Sequence, residues 1–474
     1  MKFFFSIFLC IFSISLRAQE QWDLRQCVEY AMQNNISVKQ ADVQARIAAL
    51  QVKQTQLSKI PTANFTTDAG LQFGRSIDPT SNQFTTSKLF YNSYGLQGGA
   101  EIYNFGRLKN ATRGAQFNAE AALADVEKAA NDVALSVATY YLQVLASNEQ
   151  IEISNVQIAQ TREQYNVTKK KTDAGALPEL NLAELEAQLS TDSVNLVTAK
   201  LSYEQNILSL KALLNIDAGT PFDVTKPPVE LIPLEPLAEL EPETVYQLAI
   251  TSQPLQRATA LRIKGAEKYI LSNKAAMLPS LTGSYFLGST YNNQALGLLG
   301  TTTFTAPIGT VEINGTKYEV FSNEPFTQPI YGKTRYPKQI SQNFSQSVGI
   351  NLNIPIFNKG NARLTWQRSK LDLESLQLQQ AQNDQTLKTN IYTAYTSALA
   401  AMQKYYLGET TVGAAQKAYD FASKRYEVGL LSTIDLLITQ NKLLTAKLQQ
   451  VANHYDYVFK MKVLEFYKGQ GIKL

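Results

Sequence analysis

Histidine is nearly absent from this chain: His454 stands alone among 474 residues, and the cysteines are Cys10 and Cys27. A His/Cys zinc site draws on about four such ligands, and a Cys–His or Ser–His relay needs a histidine beside its nucleophile. Neither can be assembled comfortably here, so no catalytic site, metal or cofactor is expected. Charge is scarce too. Asp, Glu, Lys and Arg make up 18% of the chain, against a usual share of about 25%. The 44 basic and 40 acidic residues leave +4, too small an excess for a nucleic-acid stripe. Past the first twenty residues no run of 18 uncharged apolar residues occurs, so no membrane-spanning helix is predicted. That lack does not exclude membrane strands.

What is present begins with an address. Lys2, the apolar stretch Phe3–Leu16 and the small Ala18 read as a signal peptide over residues 1–18, too short for a spanning helix. Cys10 sits mid-stretch, so lipidation there is not expected. Removal of the leader leaves Cys27 as the single thiol and permits no intrachain disulfide. The mature chain is predicted to be exported.

The exported part says the same thing twice. Tyr165 and Gly175 reappear as Tyr419 and Gly429, each 254 residues on; Gly106 and Gly360, and Tyr203 and Tyr457, keep that offset. Earlier, Lys59-Ile60-Pro61-Thr62 resembles Met277-Leu278-Pro279-Ser280 at an offset of 218, so the second copy carries 36 extra residues between Pro279 and Gly360. We read two repeats, 19–241 and 242–474, each ordered helix, two strands, long helix, return helix. The first helices are placed at Leu24–Ser58 and Pro242–Ala276. The long ones, Arg107–Asp173 and Asn361–Glu427, contain no proline. At 1.5 Å per residue each would reach about 100 Å, as in a coiled-coil rod. Leu182, Leu185, Leu189, Leu196, Ala199, Tyr203, Ile207, Leu210 and Leu214 form a seam on the return helix.

Between the helices the period changes to two. Phe65, Thr67, Ala69, Leu71 and Phe73 alternate with Asn64, Thr66, Asp68, Gly70 and Gln72, within a strand near 62–75. Partner strands near 90–103, 280–291 and 344–357 repeat the pattern, down to Val348, Ile350, Leu352, Ile354 and Ile356 against Ser347, Gly349, Asn351, Asn353 and Pro355. Strands of about ten residues, apolar on one face and small-polar on the other, fit a transmembrane β-barrel. Phe90, Tyr91, Tyr103, Phe105, Tyr291, Phe344 and Phe357 lie where an interfacial girdle belongs. Four strands cannot close a barrel in lipid. A dimer gives eight strands and a trimer twelve; an eight-stranded barrel is filled by its own side chains, so the trimer is preferred for a conduit. The Pro-rich 215–241 is read as a partly extended belt joining the copies. The long 292–343 faces the exterior, with Asn314-Gly315 marking a hairpin over Val311–Val320. A tolerated insertion is the favoured reading, with a cap on the pore or a contact for a surface partner as the alternative.

With these features in order, the chain resembles the TolC-like outer membrane efflux proteins over its mature length. The resemblance rests on Trp22-Asp23-Leu24-Arg25-Gln26-Cys27-Val28-Glu29-Tyr30-Ala31 leading to Asn34-Asn35, on Thr172-Asp173-Ala174-Gly175-Ala176-Leu177-Pro178, and on Tyr426-Glu427-Val428-Gly429-Leu430-Leu431-Ser432-Thr433-Ile434-Asp435. It implies a homotrimer with a 12-stranded outer-membrane β-barrel, four strands per protomer, and a long α-helical coiled-coil tunnel in the periplasm of a Gram-negative-type cell. It implies a passive duct for efflux or type I secretion, joined by a periplasmic adaptor to an inner-membrane pump of RND or ABC type. The tips Ala174, Gly175, Ala176, Leu177, Val428, Gly429, Leu430, Leu431 and Ser432 would meet the adaptor. Asp435 would supply an aspartate ring at the periplasmic aperture, and Tyr426 an aromatic latch. The sequence departs from the family at Ile438, where a second acidic ring is expected, at Leu431 in place of an arginine latch, and at Asn181 in place of an aspartate. A plainer role for Asp435 is a carboxylate favourably placed at a helix N-terminus. The competing readings are an exported coiled-coil structural or adhesion protein with a soluble β-cap, and a secreted hydrolase using Asp/Glu pairs.

Overall fold

The computed structural model describes residues 21–77, 83–226 and 232–469. The leader expected at 1–18, Pro227 and Pro228 of the linker, and the tail 470–474 lie outside the described residues. In chain order the elements are β1 (Gln21–Trp22), α1 (Leu24–Asn34), α2 (Ile36–Leu57), β2 (Asn64–Ile77), β3 (Phe84–Tyr103), α3 (Arg107–Asp173) and α4 (Glu179–Leu214). There follow β4 (Asp223–Val224), α5 (Pro242–Ser252), α6 (Pro254–Ala275) and β5 (Ser280–Asn292). Then come β6 (Leu296–Phe304), β7 (Pro307–Ile313), β8 (Thr316–Phe321), β9 (Phe326–Lys333), α7 (Tyr336–Gln342), β10 (Ser345–Asn353), α8 (Asn361–Glu427) and α9 (Thr433–Lys468). The described residues fall into two compact units, one drawn from 21–51, 115–266 and 371–469, the other from 52–114 and 267–370. Each unit therefore takes segments from both halves of the sequence.

The long helices have the predicted bounds, and α3 and α8 are each 67 residues. The return helices match one another as well, at 36 residues each. The first helices do not match the reading: both are broken, at Asn35 and at Gln253, positions 218 apart. Each breaking residue turns extended, with ψ near 137° and 131°, and its side chain reaches the last turn of a return helix. Asn35 Nδ2 donates to the Leu213 carbonyl at 2.8 Å, while its Oδ1 accepts from the Ser37 N–H at 2.8 Å. Gln253 Nε2 lies 3.4 Å from the Phe466 carbonyl and 3.5 Å from that of Tyr467. Pro254 also disfavours helical backbone at Gln253. Tertiary demand thus overrode a pattern that read as continuous.

Two buried clusters of the helical unit are built at matching positions. Cys27, Ala31, Val137, Val144, Ile207 and Leu210 lie in one. Val245, Ala249, Ile391, Ala398, Met461 and Leu464, at offsets of 218 or 254, lie in the other. The return-helix seam faces inward as its spacing demands, with Leu185, Ile207, Leu210 and Leu214 buried. The described parts of the linker are fastened rather than loose. β4 pairs in parallel with β1, Tyr141 donates to the Thr225 carbonyl at 2.7 Å, and Leu240 is fully buried. Lys462, itself buried, donates to the Pro233 carbonyl at 2.6 Å and to Glu465 at 2.8 Å; a buried ammonium needs such partners to offset its lost hydration.

The other unit holds a four-stranded antiparallel sheet in the order β10-β5-β3-β2. Its registers put the alternation to use. Phe65 sits opposite Leu96, Leu96 opposite Leu287, and Val348 opposite Tyr285, all on one face. Thr66 opposite Gly95, Ser284 opposite Gly99, and Asn351 opposite Thr282 make the small-polar face. β10 ends at Asn353, because Pro355 cannot donate to a ladder; Ile354 and Ile356, expected as strand residues, fall beyond it. The β2–β3 hairpin is longer than expected, running to Ile77 and resuming at Phe84. The segment 292–343 is also more ordered than a loop. β7 and β8 form the predicted hairpin, with Asn314 and Gly315 at φ 53° and 81°. β6 and β9 extend it as an outer ribbon, and α7 follows; none of these three was predicted.

Candidate functional site: the helix tips

Each pair of long helices ends in the same turn. The backbone turns left-handed at Gly175 (φ 74°) and Gly429 (φ 79°), a conformation that costs residues with a Cβ about 1–2 kcal/mol. Gly175 N–H then reaches the Thr172 carbonyl at 2.8 Å and Ala176 N–H the Lys171 carbonyl at 2.8 Å. Gly429 N–H and Leu430 N–H make the equivalent bonds to Tyr426 (2.9 Å) and Arg425 (2.8 Å). Both are helix stops that satisfy otherwise orphaned carbonyls. Lys170, Lys171, Lys424 and Arg425 occupy the last turns, where cations are favoured by the helix dipole. The restart differs between copies. Pro178 is the cap of α4 and supplies no side-chain bond, one place ahead of the first turn expected for it. Ser432 caps α9: Asp435 N–H donates to its Oγ at 3.2 Å, and that hydroxyl donates to Asp435 Oδ2 at 2.6 Å.

The tips present apolar side chains outward, with Val428 70% and Leu430 69% exposed. Ala174, Gly175, Ala176 and Ser432 are exposed, while Leu177, Leu431 and Asn181 are half-buried. Asp435 and Ile438 share an exposed face of α9, three residues apart. Tyr426 joins three helices: its hydroxyl lies 2.9 Å from Thr168 Oγ1 of α3 and accepts from Thr433 Oγ1 of α9 at 3.4 Å. Asn181 and Leu431, singled out from the family pattern, are not among these partners of Tyr426.

Sequence reasoning missed a buried polar rung several turns away from the tips. Asp192, Thr161 and Gln440 are essentially inaccessible. Thr161 Oγ1 donates to Asp192 Oδ2 at 2.6 Å, Gln188 Nε2 to Asp192 Oδ1 at 2.8 Å, and Gln440 Nε2 to Thr161 Oγ1 at 3.1 Å. Gln188 and Asn441 exchange two amide bonds at 3.1 Å, and Gln164 donates to Tyr419 at 3.0 Å. With Tyr426 these rungs lace α3 and α4 to α8 and α9. The available signal was one acidic residue, Asp192, set three residues after Leu189 and four before Leu196, within an otherwise apolar seam. Burial raises the Tyr419 hydroxyl pKa above its usual value. Among the described residues no cluster of three or more His, Cys, Asp and Glu gathers as metal ligands would, and no helix is long and apolar enough to cross a membrane.

Long paired helices with glycine-stopped tips, together with a four-stranded sheet apolar on one face, define a protomer of an outer-membrane channel-tunnel. The profile of the outer membrane efflux protein family matches residues 27–215 and 245–469, and the chain belongs to that family. The pyoverdine export outer membrane protein OpmQ of Pseudomonas putida is 22% identical over 447 residues, covering 90% of this chain and 82% of OpmQ. The alkaline protease secretion protein AprF of Pseudomonas aeruginosa is 20% identical over 331 residues, 69% of this chain and 60% of AprF. Among solved structures CusC, described in terms of folding and transmembrane channel formation, superposes with a TM-score of 0.76 at 15% identity, covering 95% of this chain and 93% of that one. This fold is the TolC-like one, with a strand portion for the barrel and a helical portion for the tunnel. The chain is an outer-membrane export channel, a passive duct rather than an enzyme.

Proposed function

We propose that three copies of this chain share one 12-stranded barrel and one periplasmic tunnel, which a periplasmic adaptor couples to an inner-membrane pump of RND or ABC type. The observation that carries this is the open sheet. β10 and β2 are its two edges, and an unpaired edge is not tolerated in hydrocarbon. Edge-to-edge pairing with further copies satisfies both, and three copies leave a water-filled interior where two would not. The repeats 19–241 and 242–474 would then contribute alternate hairpins of one tunnel wall. Efflux of small molecules and type I protein secretion are both compatible with such a duct; OpmQ and AprF carry names of each kind. The exposed apolar tips around Gly175 and Gly429 are the proposed adaptor contact, and the bundle end bearing Asp435, Asn181, Tyr426, Leu431 and Ile438 is the proposed aperture. With Ile438 and Leu431 apolar, closure would rest on packing and on the Tyr426 hydroxyl more than on ion pairs.

The test is heat-modifiable migration and particle mass of the protein extracted in detergent from outer membranes. A trimer that resists SDS until heated is expected; a monomer soluble in plain buffer would falsify the duct. Three Asp435 carboxylates around one axis attract cations. Asp435→Ala should therefore lower cation preference in planar-bilayer conductance, and unchanged selectivity removes Asp435 from the aperture.

A further inference from the structure

The ribbon between β5 and β10 is held too firmly for a tolerated insertion. Its root is bolted by α7: Gln339, 3% exposed, donates to the Asn292 and Thr334 carbonyls at 2.9 Å each and accepts from Asn292 N–H at 3.1 Å. Ser289 Oγ donates to the Ile340 carbonyl at 2.7 Å, and Asn343 Nδ2 to that of Thr290 at 2.7 Å. The root therefore leaves the sheet at the end opposite the connections to the long helices, which is the cell-surface end of a barrel whose tunnel lies in the periplasm.

Beyond that root the inner hairpin is two-faced. Val311 pairs with Tyr318 and Gly309 with Val320, placing Val311, Ile313, Tyr318 and Val320 on one side. Glu312 pairs with Lys317 and Thr310 with Glu319 on the other, which also carries Phe321, 51% exposed, at its base. The four apolar side chains are all exposed, Ile313 and Tyr318 by more than half. A lone two-stranded hairpin is marginal in water, and a row of exposed apolar side chains on a strand pair marks an interaction surface. Such a face calls for a cover.

We infer that the cover is the same hairpin of the two neighbouring copies, the three apolar faces meeting on the three-fold axis above the barrel's outer mouth. This rests on the trimer proposed above. Twelve strands about 4.8 Å apart and tilted by about 40° enclose a barrel of radius about 12 Å. The seven residues of β7 alone span about 23 Å at about 3.3 Å per residue. A ribbon rooted on the rim therefore reaches the axis, and symmetry brings three identical apolar faces to it. The near-neutral Glu312–Lys317 and Thr310–Glu319 side is then left to water. The duct gains a second constriction, at its exit.

Disulfide trapping in the assembled trimer tests this. Cys27 is fully buried, so the wild-type chain serves as the blank. Val311→Cys should give an oxidant-dependent dimer band on denaturing gels, since one disulfide joins two of the three chains, while Thr310→Cys on the outer side should not. Ile313→Cys repeats the measurement should Val311→Cys fail to assemble. A heat-modifiable trimer that does not cross-link, or that links equally well through Thr310→Cys, overturns the hairpin contact and leaves the duct intact. Absence of the trimer in the wild-type protein overturns both.

Discussion

Asp192 and Thr161 show what a single position can carry. Their counterparts 254 residues on are Ala446 and Ala415, so one copy fills with a buried hydrogen bond the space that the other leaves to small apolar groups. Removing the carboxylate alone strands the donors of Thr161 and Gln188, at about 1–3 kcal/mol. Removing both partners strands Gln188 and Gln440, fewer groups than the two single variants strand between them. Asp192→Ala should thus lower the thermal midpoint more than half of what Thr161→Ala and Asp192→Ala lose when added, and the double variant should lose less than that sum. Strict additivity by circular dichroism in detergent would sink the coupling. Cys27 offers a second case. Burial holds its thiol pKa up, to about 12, because the thiolate is disfavoured in an apolar setting. The folded pKa lies above the unfolded one, so the stabilisation is complete below the unfolded value near 9 and declines as pH rises toward 12. Native protein should resist maleimide at pH 8 and react only after unfolding; labelling of the folded form detected by mass would contradict this.

At the scale of elements, the helix stops are the clearest link from composition to geometry. A Cβ added at Gly175 or Gly429 meets no atom within 4 Å, so substitution acts through backbone strain alone. Gly429→Ala should cost about 1 kcal/mol and disturb the tip far more than the cores. If the tip is the adaptor contact, export should fall several-fold while the melting midpoint barely moves; full export with the altered turn would remove the tip from the docking surface. The breaks at Asn35 and Gln253 teach the opposite lesson. Helical periodicity runs through both, yet each side chain anchors the last turn of a return helix, a contact across 178 residues for Asn35. Local pattern carries no information about such a partner.

The whole molecule is decided by which surfaces meet lipid. Val348 is 89% and Ile350 72% exposed in the single chain, on the same side as Phe65 and Leu96. On a lipid-facing strand an arginine costs about 2–4 kcal/mol at mid-bilayer. Ile350→Arg should therefore deplete assembled trimer in outer membranes, whereas Asn351→Arg on the small-polar face should assemble normally and alter conductance. Equal assembly of the two variants, scored by heat-modifiable migration, would mean that the faces have been assigned wrongly.

Much of this was legible in the chain itself. The bounds of α3 and α8, the alternating strands, the Asn314-Gly315 turn and the glycine stops follow from periodicities and backbone preferences that act within a few residues. Only tertiary structure decided where α1 and α5 end, which helices Tyr426 ties, that Asp192 is buried, and that the insert stands as a bolted ribbon. Those features depend on side chains meeting across 31 to 279 residues, where the free energy belongs to a pair and neither partner's neighbourhood in the sequence records it.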